Sequence, residues 1–325
     1  MNHIKLSNEL LNDTLELVFE GMLKVPLYKK YPPSKSGIKK MLKGYIHGAL
    51  KCGVFDYHYE GDQLVAIFIF TKTDFASGLP ITIGTIDCNG SKSSLRWIKA
   101  KLLEYQILFN EKSHLELPIH LKRLLPFFEL IGFSVDTVKL LGVSKECLKK
   151  FKGHGKSHLR LDELHLSLSR ARKSDLMSVM DIERREFKRN PQFGWFVANE
   201  NWLKTRYKAR VNALKNEKST SYVLKNKRGR VVGFFGSEAI ETPNLGNLGT
   251  PEFLFDQSIQ GQGLSKIGYQ ILLEDMTTNG IKYFMGNTAQ LGVFKNAKKM
   301  GRAPINFFLR YTEGYFKTDY FLENI

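Results

Sequence analysis

The sequence predicts an α/β protein whose sheet is antiparallel at its start and gains crossover helices later. Three observations predict this. Leu164-His-Leu-Ser-Leu-Ser169 alternates, and Thr220–Leu224 and Val231–Phe235 flank a turn at Lys227-Arg-Gly-Arg230, as antiparallel strands do. From Phe255 to Tyr311, strand-like and helix-like segments take turns. The segment after Gly263 places Leu264, Ile267, Gly268, Ile271 and Leu272 at i, i+3, i+4, i+7 and i+8, one continuous apolar helix face.

Composition sets the bounds. Apolar residues make up 42% and charged residues 25% of 325 residues, a globular balance with room for one large or two ordinary domains. The apolar run Val65-Ala-Ile-Phe-Ile-Phe70 is strand length, far short of a membrane span. The first residues carry no signal-peptide pattern, and a cytoplasmic protein is expected. Cys52, Cys88 and Cys147 lie far apart without CxxC spacing, so reduced thiols and no metal site are expected. The net charge of +17 suits a polyanion. Its lysines are scattered rather than striped, which fits a pyrophosphate-bearing small molecule as well as a nucleic acid.

The elements follow in order. In the first half, Ile86-Asp87 ends an apolar run before an Asn-Gly-Ser turn and a helix, and Leu125–Leu130 is a short helix closed by Gly132. Lys150–Arg160, rich in Gly, Lys and His, is a linker or hairpin tip. Gly155-Lys156-Ser157 imitates the tail of a P-loop but lacks its first glycine. In the second half, Ser174-Asp175 caps a helix through Phe187, and a basic, aromatic segment runs from Arg189 to Arg210. Asn244–Gly249 reads as a loop. A strand to Phe255, strand Ile281–Met285, a helix ending near Gly301 and strand Ile305–Tyr311 complete the chain. Asp256 lies as far along the chain from Asp87 as Gly301 does from Gly132. One offset for two landmarks suggests a duplication. The expected division is 1–150, a linker at 151–162, and 163–325.

The chemistry concentrates at Phe255-Asp-Gln-Ser-Ile-Gln-Gly-Gln-Gly-Leu-Ser265. A turn at the start of a packed helix offers free N–H groups and the positive dipole end to an anion. Gly261 and Gly263 keep side chains out of the way. GxGxxG fails at Lys266, and no Gly-Lys-Ser/Thr is present at this turn.

Gln260-Gly-Gln-Gly263-Leu-Ser265 resembles the Gln/Arg-x-x-Gly-x-Gly/Ala loop of the GNAT superfamily of N-acetyltransferases, which binds the pyrophosphate of coenzyme A. Leu254-Phe255-Asp256-Gln257 takes the place of that family's Val-Asp-Pro-like corner, and Asn287 that of a cofactor-contacting Asn. The resemblance covers roughly residues 160–325. The first half has Ser91-Lys-Ser-Ser94 at the loop and Pro118 at the Asn, so a degenerate copy without the cofactor loop is implied. The implied fold is two tandem GNAT-like domains, each a mixed, largely antiparallel twisted sheet flanked by helices.

The resemblance further implies direct transfer of an acyl group from acetyl-CoA or another acyl-CoA to a primary amine. Phe253, Phe255, Gln260, Gly261, Gln262, Gly263, Leu264, Ser265, Asn287 and Phe294 are the expected cofactor contacts. Glu252 is the candidate base and Tyr311, with Tyr315, the candidate acid, because Phe294 occupies the family's usual Tyr position. Arg189, Trp195 and Arg206 lie on the expected acceptor side. The expected acceptor is a small or nucleotide-linked amine: clustered Arg with Trp and Phe suits a planar, phosphorylated ligand such as a nucleotide, and that segment is similar to bacterial enzymes that acetylate nucleotide-linked 4-amino sugars. Two alternatives stand beside this reading. One is an aminoacyl-tRNA-dependent transferase of the peptidoglycan cross-bridge type; the other is a non-catalytic acyl-CoA-binding protein.

Overall fold

A strand buried on both faces must be apolar at every position, and Val65–Phe70 meets that demand. In the computed structural model, which describes residues 6–74, 80–110, 113–151, 161–189, 200–289 and 291–311, this run forms the middle of strand β2 (Gln63–Asp74). Ile67 and Ile69 pack against helices α1 (Asn8–Leu23) and α3 (Lys35–Cys52) on one face. Phe68 and Phe70 face the other way, onto α4 (Lys92–Glu104). Ser7, Ser34 and Ser91 start α1, α3 and α4, each accepting a backbone N–H three residues on.

The strands form one mixed, mostly antiparallel sheet flanked by helices. Its order is β1-β2-β3-β4-β11-β5-β10-β9-β8-β7-β6. The first half supplies β1 (Gly53–Glu60), β2, β3 (Pro80–Cys88), β4 (Ser113–Pro118) and β5 (Phe133–Val143). The second supplies β6 (Ser167–Arg170), β7 (Thr220–Lys225), β8 (Val231–Thr242), β9 (Gly246–Phe255), β10 (Tyr283–Thr288) and β11 (Ala303–Tyr311). The remaining helices are α2 (Pro26–Lys30), α5 (Leu125–Leu130), α6 (Ser144–Phe151), α7 (Leu176–Arg189), α8 (Glu200–Lys215), α9 (Leu264–Thr278) and α10 (Leu291–Lys299).

The shift that carries Asp87 to Asp256 also lays α1 on α7, α3 on α8, β1 to β5 on β7 to β11, α4 on α9 and α5 on α10. The last strands of the two halves are exchanged. β11 lies between β4 and β5, and β5 lies between β11 and β10. β5 and β11 are antiparallel, and Val138 pairs with Phe307, its own counterpart under the same shift. Packing follows the exchange. Phe294 and Ala297 of α10, with Phe307 and Leu309 of β11, complete the core around Phe68, Ile98, Phe128 and Phe133 of the first half. Cys147 of α6 enters the core formed by α9 and β8.

Two sequence expectations shift locally. The first strand of the second half begins at Ser167 rather than Leu164, because residues 161–163 are helical and the chain turns at Leu164 and His165, where His165 adopts a left-handed φ of 52°. The expected loop Asn244–Gly249 narrows to a short turn, and β9 starts at Gly246. Gly249 marks close packing rather than a loop: a Cβ there would lie 2.5 Å from Met276 Sδ.

Candidate functional site

The site begins where two parallel strands part. β9 and β10 pair only at Leu248 with Tyr283 and Gly249 with Phe284. β10 stays paired with β5 along its whole length, and Thr250–Phe255 has no strand on the side facing β10. Alternation sends the side chains of this open stretch to opposite faces. Phe253 and Phe255 pack toward α9, and Leu254 packs toward Val179 and Ile182 of α7.

The turn after β9 ends at the N-terminus of α9. Gly261 and Gly263 both have φ of 75°, where glycine alone is unstrained. Gly263 is the N-cap, and no side chain caps the helix. No acceptor among the described residues meets the N–H groups of Gly263, Leu264 or Ser265. A Cβ on either glycine would meet nothing within 4 Å, so the turn is an open cradle. The side chain of Leu264 is buried in the core, leaving its N–H for the turn. Gln260 fixes the turn by donating to Phe255 O (2.9 Å) and Glu186 Oε2 (2.7 Å). Asp256 accepts from Ser258 N and from Arg185 Nη2 at 3.0 Å. Burial opposes its charge, but Ser258 and Arg185 hold the carboxyl below the ordinary aspartate range. The carboxylates beside the cradle are thus neutralised, Asp256 by Arg185 and Glu186 by Arg189.

On the α7 and α8 face of the parting lies a cavity of about 380 Å³, lined in part by Arg206, Arg210, Phe234, Glu238, Glu252 and Asn287. Arg206 and Arg210 stand four apart on α8, one turn of one face. Their guanidiniums hold two carboxylates. Glu183, fully buried on α7, accepts from Arg206 Nε (2.9 Å) and Nη2 (2.7 Å) and from Arg210 Nη2 (2.8 Å). Glu252 accepts from Arg206 Nη2 (2.5 Å) and is bridged by Arg210 Nη1 (3.0 Å). Burial works against the Glu252 carboxylate, but Arg210 and Arg206 outweigh it and hold the carboxyl below its ordinary value. Glu238 on β8 is the contrasting group. It lines the same cavity and forms no side-chain hydrogen bond or ion pair among the described residues. Burial pushes its carboxyl above the ordinary value of 4.5; Arg206 and Arg210 oppose this and Glu252 adds to it.

On the α9 face of the parting, the Tyr269 ring lies 4.3 Å from the Phe253 ring. Buried Arg302 donates to Tyr269 Oη at 3.0 Å and to Gly286 O at 3.3 Å.

The residues expected from sequence fall into groups. Phe253, Phe255 and Gln260–Ser265 gather around the cradle and the open strand. Asn287 is exposed and lines the cavity on the opposite face. Phe294 is not a cofactor contact: it is 0% exposed in the first half's core, where strand exchange carries α10. Tyr311 is not placed to be the acid. It packs on Phe109 and Phe133, paired to residue 133 of β5, whereas Asn287 pairs to residue 139. Six residues of strand are about 20 Å. Arg206 is held by Glu183 and Glu252 instead of being presented to an anion, and Arg189 borders the cradle through Glu186. Trp195, Tyr315, His154, His158 and most of the linker (152–160) lie outside the described residues. Glu183, Glu238, Tyr269 and Arg302 were not singled out from sequence. Only the four-residue spacing of Arg206 and Arg210 hinted at a charged helix face.

No family model and no curated protein matches the chain. Among solved structures, it is similar to the GCN5-related glucosamine N-acetyltransferase region of a fungal multi-domain GH3 beta-N-acetylglucosaminidase. Identity is 14% over 92% of this chain and 37% of that one, with a TM-score of 0.48. It is also similar to a GCN5-related N-acetyltransferase from Sphaerobacter thermophilus, at 10% identity over 79% and 80% of the two chains and a TM-score of 0.46. A third is Saccharomyces cerevisiae N-myristoyltransferase with bound myristoyl-CoA, at 13% identity over 94% and 80%, with a TM-score of 0.41. The chain spans little more than a third of the first of these proteins. With all three scores below 0.5, the reading of function rests on this chain's own geometry. No helix among the described residues is long and apolar enough to cross a membrane.

Proposed function

We propose that this protein is an acyl-CoA-dependent N-acyltransferase acting on a small primary amine, built from two tandem copies of one fold, 1–150 and 163–325. The observation that carries the reading is the bare cradle at Gly261–Ser265, opening beside a strand that has lost its neighbour. The group fits the residues present: a diphosphate needs unpaired N–H donors, room and no net negative charge, and the turn offers all three. Gly263, Leu264 and Ser265 would hold the diphosphate through their N–H groups, with Lys266 in the first helical turn. The open edge of Thr250–Phe255 supplies further backbone donors and acceptors for the arm of the molecule. When bound, a coenzyme A thioester supplies a carbonyl activated toward amines.

The acceptor enters from the other face. Glu238 is a carboxylate of that cavity without a partner among the described residues, so it attracts an ammonium group, and once that group has lost one proton to solvent it takes the second, released as the free amine attacks. Its raised pKa suits a base working near neutrality better than the depressed one of Glu252. Glu252 instead holds Arg206 and Arg210, and with them the cavity wall. This arrangement favours a compact cationic amine over a nucleotide-linked one, because the described arginines of the cavity are already neutralised. Phe294 gives no support to a non-catalytic reading, since its ring faces the core and not the site.

Incubating the full chain with acetyl-CoA and a panel of amines, from monoamines and amino sugars to polyamines, while measuring free thiol, tests the proposal. Turnover with at least one cationic amine is expected, lowered at least about a hundredfold by Glu238→Gln with coenzyme A binding intact. No turnover across the panel, or full activity of Glu238→Gln, contradicts it.

A further inference from the structure

Arg302 is the charge in the second half that the fold itself does not explain. It is 5% exposed, stands at the start of β11, and has no carboxylate partner among the described residues. Its Nη1 donates to Tyr269 Oη (3.0 Å) and its Nη2 to Leu140 O (3.0 Å) and Gly286 O (3.3 Å). The guanidinium lies 5.0 Å from the centroid of Phe284, and Nε meets no acceptor. Burying a guanidinium without a counter-charge is costly even when its N–H groups find acceptors. Its counterpart in the first copy is Phe133, which fills the first half's core at no such cost. Packing alone therefore does not call for arginine here; an anion that arrives transiently does.

The location says which anion. A Cβ on Gly286 would lie 3.1 Å from Arg302 Nη2 and 4.0 Å from Pro251 O, so the guanidinium sits at the point where β9 and β10 part. Tyr269 is on α9, the helix whose N-terminus forms the cradle, and its ring touches Phe253 on the open strand. The pair thus faces the parting from the donor side, opposite Glu238 and Glu252. Because Arg302 donates to the phenolic oxygen, the Tyr269 O–H is free to point into the gap.

Resting on the acyltransferase reading, we infer that Tyr269 and Arg302 form the leaving-group site. As the amine nitrogen bonds to the acyl carbon and the C–S bond breaks, the electron pair stays on sulfur. Tyr269 gives its proton to that sulfur, and Arg302 stands against the phenolate that remains. The proton lost by the amine passes to Glu238, and both groups reset by exchange with solvent. The site thereby does without a tyrosine at position 294.

The test is calorimetric binding of coenzyme A and of desulfo-coenzyme A, which lacks only the sulfur, to the full chain from about pH 6 to about pH 9. The wild type is expected to prefer coenzyme A by roughly tenfold at the alkaline end, with the preference growing as pH rises. Tyr269→Phe and Arg302→Met should erase the preference and leave desulfo-coenzyme A binding unchanged. Tyr269→Phe should also lower kcat about a hundredfold with KM for the acyl donor retained. If Arg302→Met does not fold, Tyr269→Phe decides alone. Desulfo-coenzyme A bound with no preference for the thiol in the wild type, or a preference that survives Tyr269→Phe, overturns the leaving-group site alone. Failure of the wild type to bind either compound overturns the acyltransferase reading and this assignment with it.

Discussion

The helix after β3 and the helix after β9 occupy equivalent places in the two halves and end their first turns in opposite ways. In the first half the N-terminus of α4 is satisfied from within. Ser91 Oγ accepts from Ser94 N, and Asn89 Oδ1 accepts from Ser91 N and Ser94 Oγ. In the second half Gly263 stands where a capping side chain would, and no acceptor among the described residues meets the first N–H groups. The strands differ in the same sense. β3 and β4 share four pairs, Thr82 to Thr85, whereas β9 and β10 share two and then separate. The shift that relates the halves also sets Glu238 against Ile69, Glu252 against Ile83, Glu183 against Thr14 and Arg302 against Phe133. On the proposed reading, a ligand site is made on this fold by leaving polar groups unmet, and removed by pairing or replacing them.

The contrast can be broken or sharpened by substitution. The largest effect belongs to Glu238→Gln, expected to lower kcat by about 10²–10⁴-fold by removing the base. Wild-type kcat/KM should show an acid limb above 4.5, because burial raises this carboxyl and it must be ionised to act. That limb should vanish in the variant, and its persistence in residual activity would point to another base.

Next comes the buried ion network. Glu183→Gln leaves Arg206 and Arg210 short of a charge and should destabilise the protein by about 3–5 kcal/mol in denaturant melts. Thr14→Val at the equivalent place should cost less than about 1–2 kcal/mol, since it removes one hydroxyl bonded to Leu10 O. Equal losses at the two positions would show that the network is not what the second half depends on.

A smaller effect is the pH dependence of stability. The Glu252 carboxyl is lowered in the folded chain, so its contribution is present above the ordinary value of 4.5 and is lost as pH falls through the folded value. Glu238, raised, acts in the opposite sense: its contribution is present below 4.5 and lost as pH rises through its folded value. Glu252→Gln should flatten the acid side of a stability–pH curve, and an unchanged acid slope would assign that slope elsewhere. The smallest effect is Ser91→Ala, expected to cost about 1 kcal/mol as a lost helix cap with no change in ligand binding.

Part of this contrast is legible in the residues alone. Asp87 and Asp256, Gly132 and Gly301 expose the common offset of the two halves because turns and helix ends are set by local chemistry. Gly261 and Gly263 reveal the cradle for the same reason. The exchange of β5 and β11 leaves no such mark, because alternation reads the same whichever strand lies alongside. That exchange is why Phe294, placed by counting along a motif, and Tyr311, offered in its stead as the acid, pack with the first half's core. The carboxylate partners of Arg206 lie 23 and 46 residues away, beyond any helical or strand period. Glu238 sits among apolar neighbours in an ordinary strand, and only the cavity distinguishes it.

The bare cradle is tested most directly by calorimetric titration of coenzyme A into the wild type and into Gly263→Glu, with folding checked by thermal melts. A carboxylate at this left-handed position puts negative charge into the cradle at a strain of about 1 kcal/mol, too small to unfold an ordinary domain. Micromolar binding to the wild type and a loss of at least about a hundredfold in the variant, both folded, are predicted. Equal affinity for the two proteins would contradict the account.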